Sequence, residues 1–127
     1  MDHALWELPA GGALPNESSQ EAALRELREE TGIDVRDINR LKAEHSLIVS
    51  PNRLPMFPHV FSVQITGQEY EERLPHDNEV ECVKCFSSDK VREMILSGEI
   101  ITSITLAILG RFLLGQQLTS SSSTPKP

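Results

Sequence analysis

Cysteine is nearly missing from this sequence: Cys82 and Cys85 are the only two, too few for the disulfide framework of a small secreted domain. They form a lone C-x-x-C inside an expected strand, where positions three apart face opposite ways, so neither zinc nor redox chemistry is expected of them. Basic charge is also scarce. Twelve Lys and Arg stand against nineteen Asp and Glu, a net charge of -7 that argues against a broad polyanion-binding surface, and no nucleic acid partner is expected. Long apolar runs are lacking as well. The longest, "ITLAILGRFLLG", is broken by Gly110 and Arg111 and falls short of the roughly 20 residues that a bilayer requires, so it reads as a buried helix with no membrane partner. The opening "MDHALWELPAGG" has neither the basic flank nor the apolar core of a signal peptide, and a cytoplasmic location is expected. Aromatics make up only 5%. Trp6 and Phe57 could stack on an adenine, although packing is the commoner use of such rings. The four histidines have no ligand spacing, and no internal repeat is visible.

What is present is one domain's length of chain, 127 residues, punctuated by glycine and proline. Residues 4–8 read as a short strand ending at Pro9 and the Gly11, Gly12 bend. A helix over residues 19–31 is bounded by Ser18 and Glu21 at capping-box spacing and by Gly32 as a left-handed cap. "RLKAEHSLIVS" and "HVFSVQI" read as two strands separated by a loop containing Pro51, Pro55 and Pro58. "GQEYEERLPHDNE" is acidic and contains a proline, which predicts a loop, and "VECVKCF" alternates as a third strand. Ser88 would cap a helix over 89–96 ending at Gly98, and Ser103 a helix over 104–114 ending at Gly115. A domain over 1–117 would then leave 118–127 as a disordered Ser/Pro tail.

The first helix carries the chemistry. Residues 11–33, "GGALPNESSQEAALRELREETGI", hold five glutamates, and at about 100° per residue Glu26, Glu29 and Glu30 share one arc with the small Ala22. Ala23, Leu24, Leu27 and Thr31 fall opposite. Like charges three or four residues apart destabilise a helix by a few tenths of a kcal/mol per pair, so a cation is called for among them. Arg25, four residues before Glu29, can hold that carboxylate in place. A Glu-rich face alone usually means a solvated amphipathic helix. The spacing argues otherwise: Gly11, five positions, Glu17, seven positions, then Arg25, Glu26, Leu27, x, Glu29, Glu30, x, Gly32, Ile33. Seven fixed identities and two apolar positions would arise by chance in such a chain on the order of once in ten million.

In these residues the sequence resembles the Nudix hydrolases, which cleave nucleoside diphosphates linked to another moiety. For the fold, the resemblance implies the α/β (α+β) class: an α/β/α sandwich with a mixed sheet. Because only ten residues precede Gly11, some N-terminal strands are expected to be missing, and an uncovered strand edge leaves a homodimer open. For the site, it implies divalent metal, Mg2+ with Mn2+ as an alternative, held by Glu26, Glu29 and Glu30 with the Ala10 carbonyl. Glu17, Arg25 and Gly32 would organise the motif, with Glu29 and Arg25 at the catalytic centre. Gly11 and Gly12, with Arg53 as a phosphate or ribose contact, are the candidate substrate-binding positions. Magnesium prefers hard oxygen ligands and bridges to phosphates, so three carboxylates make a suitable seat for it. A general base is expected from the later acidic loop, where Glu79 is favoured over Asp77 and Glu81, with Glu71 and Glu72 behind them.

"WELPAGG", "AALRELREETG" and "SGEIITSITLAIL" resemble the ADP-ribose and ADP-sugar pyrophosphatase branch, while "SPNRLPMFPHVF" departs from it at Asn52. The resemblance therefore implies a nucleoside diphosphate-linked small molecule as partner, hydrolysed to AMP and a sugar phosphate. A second reading, left open by the short front, is a Nudix module that binds nucleotide or protein without turnover.

Overall fold

The computed structural model describes residues 5–50, 52 and 55–122. They form an α+β fold of four α-helices and a small antiparallel sheet, in two compact units. One is Pro9–Val83; the other combines the described residues of Met1–Leu8 and Lys84–Pro127.

In the first unit, helix α1 spans Ser19–Thr31, as the capping signals predict. The Ser18 hydroxyl accepts from the Glu21 N–H at 3.1 Å, and the Glu21 carboxylate accepts from the Ser18 N–H at 3.3 Å. At the other end Gly32 adopts φ 79° and its N–H closes the last turn on the Arg28 carbonyl at 2.8 Å. Leu24 on α1 meets Ile33 and Val35 in a buried cluster, with Leu27, Leu41, Val63, Ile65 and Tyr70 packed around it. Burying each such side chain contributes roughly 1.5–3 kcal/mol, which seats the helix against the strands.

Strands β1 (Leu41–Glu44) and β2 (Val60–Val63) pair antiparallel with Leu41 opposite Val63 and Glu44 opposite Val60. Both are shorter than the apolar runs that encode them; the loop between them contributes one isolated bridge, Val49 with Met56. Helix α2 (Gly67–Glu71) occupies part of the expected loop. Its cause is local: Thr66 and Glu69 form a second capping box, and Glu69 also takes two bonds from Arg40, at 2.6 and 2.7 Å. The signal T-x-x-E was present in the sequence, outweighed by the acidic run and by Pro75.

In the second unit, α3 (Ser88–Ser97) starts one residue earlier than expected, because Ser87, not Ser88, accepts the Lys90 amide at 3.1 Å. Gly98, at φ 83°, ends it. Helix α4 (Ser103–Ser122) overruns Gly115. Residues 118–122, expected to be disordered, are therefore helical, and the rest of that tail lies outside the described residues. Neither remaining strand forms: residues 5–8 and "VECVKCF" are irregular. Among the described residues they meet no strand partner, and alternation without a ladder does not make a strand. The sheet is accordingly two-stranded and antiparallel among the described residues, not mixed.

Candidate active site

The glycine loop is folded back along α1 by side chains the helix itself supplies. Leu14, Pro15, Asn16 and Glu17 form a turn, with Asn16 at φ 66° and the Glu17 N–H on the Leu14 carbonyl at 3.0 Å. Pro and Asn are suited to the middle of such a turn, Pro by its fixed φ and Asn by its tolerance of the left-handed region. The Glu17 carboxylate closes it by accepting the Leu14 N–H at 2.9 Å.

Arg25 then ties the loop to the helix. Its Nε and Nη2 donate to the two oxygens of Glu17 at 2.8 and 3.0 Å, and Nη2 also reaches the Gly12 carbonyl at 2.9 Å. Its Nη1 bridges Glu26 at 2.8 Å and Glu29 at 3.2 Å. The guanidinium fork lowers the Glu17 carboxyl from its ordinary value, first through this bond and then through the Leu14 N–H, and Glu17 in turn raises Arg25. The expected pairing of Arg25 with Glu29 is present, but the shorter bonds go to Glu17 and Glu26. Part of the cation that the crowded glutamates require is thus internal.

Two contacts set the loop's spacing. The Ala10 N–H donates to Glu30 Oε2 at 2.8 Å, so the structure presents the amide of Ala10 to the helix where the resemblance implied a role for its carbonyl. At Gly11 a Cβ would meet the end of the Glu26 side chain, which would have to shift, so the glycine lets this carboxylate approach the loop closely without a positive φ. Ala22 is 5% exposed, so it does not lie open on the acidic face as the helical arc predicts. The arc reckons a solitary helix, whereas here the 10–17 loop is bonded down along it.

The acidic loop comes to the same end of α1. The Leu74 N–H donates to the Gly32 carbonyl and the Asp77 N–H to the Glu29 carbonyl, both at 2.8 Å. Any Cβ at Gly32 would overlap the Leu74 carbonyl. Asp77 and Glu79 are therefore carried beside the last turn of α1, a placement resting on backbone bonds across some forty residues that no local spacing announces. Glu81 lies further along the same irregular segment, and Glu71 and Glu72 lie at the end of α2.

Arg53 lies outside the described residues. Trp6 packs edge-on to Phe86 with ring centroids 5.1 Å apart, and Phe57 is exposed. Cys82 and Cys85 are free thiols on irregular chain. A cleft of about 260 Å³ lined by Glu17, Arg25, Arg28 and Arg36 among others does not include Glu26, Glu29 or Glu30.

Among the described residues no three acidic, His or Cys side chains stand gathered as a metal cage. The donor chemistry still fits a hard divalent ion. Glu26 and Glu29 aim one oxygen each at a single cationic nitrogen, and Glu29, with 47% of its side chain exposed, has room to turn. No helix of the described residues is long and apolar enough to cross a membrane.

Comparison with known proteins identifies the family. The NUDIX domain model matches residues 1–102. Phosphatase NudJ of Escherichia coli strain K12, of Escherichia coli O157:H7 and of Shigella flexneri are each 30% identical over 88 residues, which cover 69% of this chain and 55% of theirs. The chain thus spans about half the length of the curated relatives it matches, and their names do not single out the ADP-ribose branch. No solved structure matches. A domain match over most of the chain, which includes the helix whose glutamates, arginine and glycines interlock as described, places this protein in the Nudix family.

Proposed function

We propose that this chain hydrolyses the pyrophosphate bond of a nucleoside diphosphate derivative, ADP-ribose or an ADP-sugar, giving AMP and a sugar phosphate. The observation that carries the reading is that Glu26 and Glu30 of α1 lie against the glycine loop while the acidic loop is bonded to the Glu29 carbonyl. The relatives' phosphatase name supports chemistry on phosphates.

Glu26, Glu29 and Glu30 would hold Mg2+ or Mn2+, with Ala10 of the loop beside them. A bound divalent ion supplies positive charge and Lewis acidity at the diphosphate. Arg25 keeps Glu17, Glu26 and the Gly12 carbonyl fixed while Glu29 adjusts. Gly11 and Gly12 present backbone that a phosphate can approach closely, and a Cβ at Gly12 would meet nothing within 4 Å. Glu79 accepts the proton of the attacking water. The reading includes a domain over 1–117, a cytoplasmic location, and a homodimer as a possible assembly.

A second reading, a Nudix module that binds nucleotide without turnover, draws on the Arg25 Nη1 bridge, which already sets one positive charge against Glu26 and Glu29. Chromatographic assay of AMP released from ADP-ribose, with magnesium titrated, separates the two. Turnover that rises with magnesium and is lost in Glu29→Gln supports hydrolysis; nucleotide binding with no product over a long incubation supports the second.

A further inference from the structure

We infer that Asp77 is a positioning residue, which seats Glu79 against α1 by using its two ends on two different partners. Its backbone N–H donates to the Glu29 carbonyl at 2.8 Å, fastening the loop to the helix turn that bears Glu29 and Glu30. Its side-chain Oδ1 accepts the Glu79 N–H at 2.7 Å, and the Val80 N–H closes on the Asp77 carbonyl at 3.2 Å. These bonds make a side-chain-braced turn over residues 77–80, so the direction of Glu79 is set by Asp77 and, through it, by α1. Gly32 completes the arrangement, since only a residue without Cβ leaves room for the carbonyl of Leu74, three residues before Asp77.

The same geometry divides the loop's carboxylates by role. Asp77 Oδ1 is committed to a backbone N–H, an interaction that needs an acceptor oxygen and not a charge, whereas Glu79 is held by its backbone. The inference rests on the reading of Glu79 as the base. It also makes a claim about the resting protein that stands without it.

The experiment pairs Asp77→Asn with Asp77→Ala. Asparagine keeps the acceptor oxygen and loses the charge; alanine loses both. Amide hydrogen exchange of the metal-free protein reads the seat directly: the Glu79 amide should be protected in the wild type, protected in Asp77→Asn and faster by about 10-fold in Asp77→Ala. With magnesium and ADP-ribose, kcat of Asp77→Ala should fall by about 10-fold at unchanged KM, and Asp77→Asn should restore it to within about 2-fold. Equal exchange at Glu79 in all three proteins overturns the inference, as does Asp77→Asn losing as much kcat as Asp77→Ala. If the wild type hydrolyses nothing, the proposed function fails alone and the exchange data decide the seat of Glu79.

Discussion

Helices α1 and α4 are built on opposite plans. Helix α1 is 13 residues long, boxed at its start, closed by a left-handed glycine, and crossed by bonds from residues 10, 12, 17, 74 and 77. Helix α4 runs 20 residues, apolar over most of 104–114 and polar from Gln116 on apart from Leu118; Leu113 is buried while Phe112, Leu114 and Leu118 are exposed. The first is fixed by specific polar bonds and has little tolerance for change. The second runs through Gly110 and Gly115 into a Thr/Ser end against the intrinsic preference of those residues, and Gln116, just past Gly115, accepts from the Ser88 hydroxyl of α3 at 3.0 Å. The family match follows the same division, covering α1 and ending at residue 102, before α4 begins.

The sharpest way to test that contrast is at Gly32. An alanine there would take a positive φ and meet the Leu74 carbonyl, so Gly32→Ala should cost about 3 kcal/mol or more and lower the thermal midpoint clearly. A midpoint unchanged by that substitution would mean the acidic loop is not seated as described. Next in size is Glu30→Gln. It preserves shape but weakens both the bond from the Ala10 N–H and the proposed ion seat, and metal-dependent AMP release should fall by about 100-fold or more. A matched substitution on α4, Leu114→Ala, should leave turnover within about 2-fold, since that side chain is mostly exposed.

These outcomes bear on what the sequence could tell. Helix α1 was legible to the residue because its signals are local: a hydroxyl and a carboxylate three apart, a glycine after the last turn. The motif glutamates were legible through spacing. The seat of the acidic loop was not, since the bonds from Leu74 and Asp77 back to α1 join backbone groups far apart in the chain. The third strand failed for a related reason: alternation in "VECVKCF" shows which residues could face inward, but says nothing about whether a partner strand exists. Gly115 misled in the other direction, as a glycine ends a helix only where the chain beyond it has somewhere else to go.

Acid should separate the polar-bonded unit from the apolar helix. Glu69 is held down to about 2 from its ordinary 4.5, first by the Arg40 guanidinium and then by the Thr66 N–H, and Glu17 is lowered by Arg25. Because these folded-state values lie below the unfolded ones, the unfolded chain takes up protons first. Their stabilisation is complete above the ordinary 4.5 and is lost as pH falls towards about 2. A melting series from about pH 6 to about pH 3 should show the midpoint falling below pH 4.5, and Arg40→Met should flatten that slope. An identical slope in the variant would remove Glu69 as its source.

The smallest effect tests α4 itself. Gly115 lies inside this helix, and a Cβ there would meet no atom within 4 Å, whereas at Gly32 it would strike backbone. Alanine avoids glycine's extra backbone entropy in a helix, so Gly115→Ala should stabilise by roughly 0.5–1 kcal/mol. The same substitution would then carry opposite signs at the two glycines, with the sign set by the conformation and the neighbours each position imposes. Should Gly115→Ala lower the midpoint instead, the chain must leave the helix at that glycine, and α4 would end where the sequence alone had placed its end.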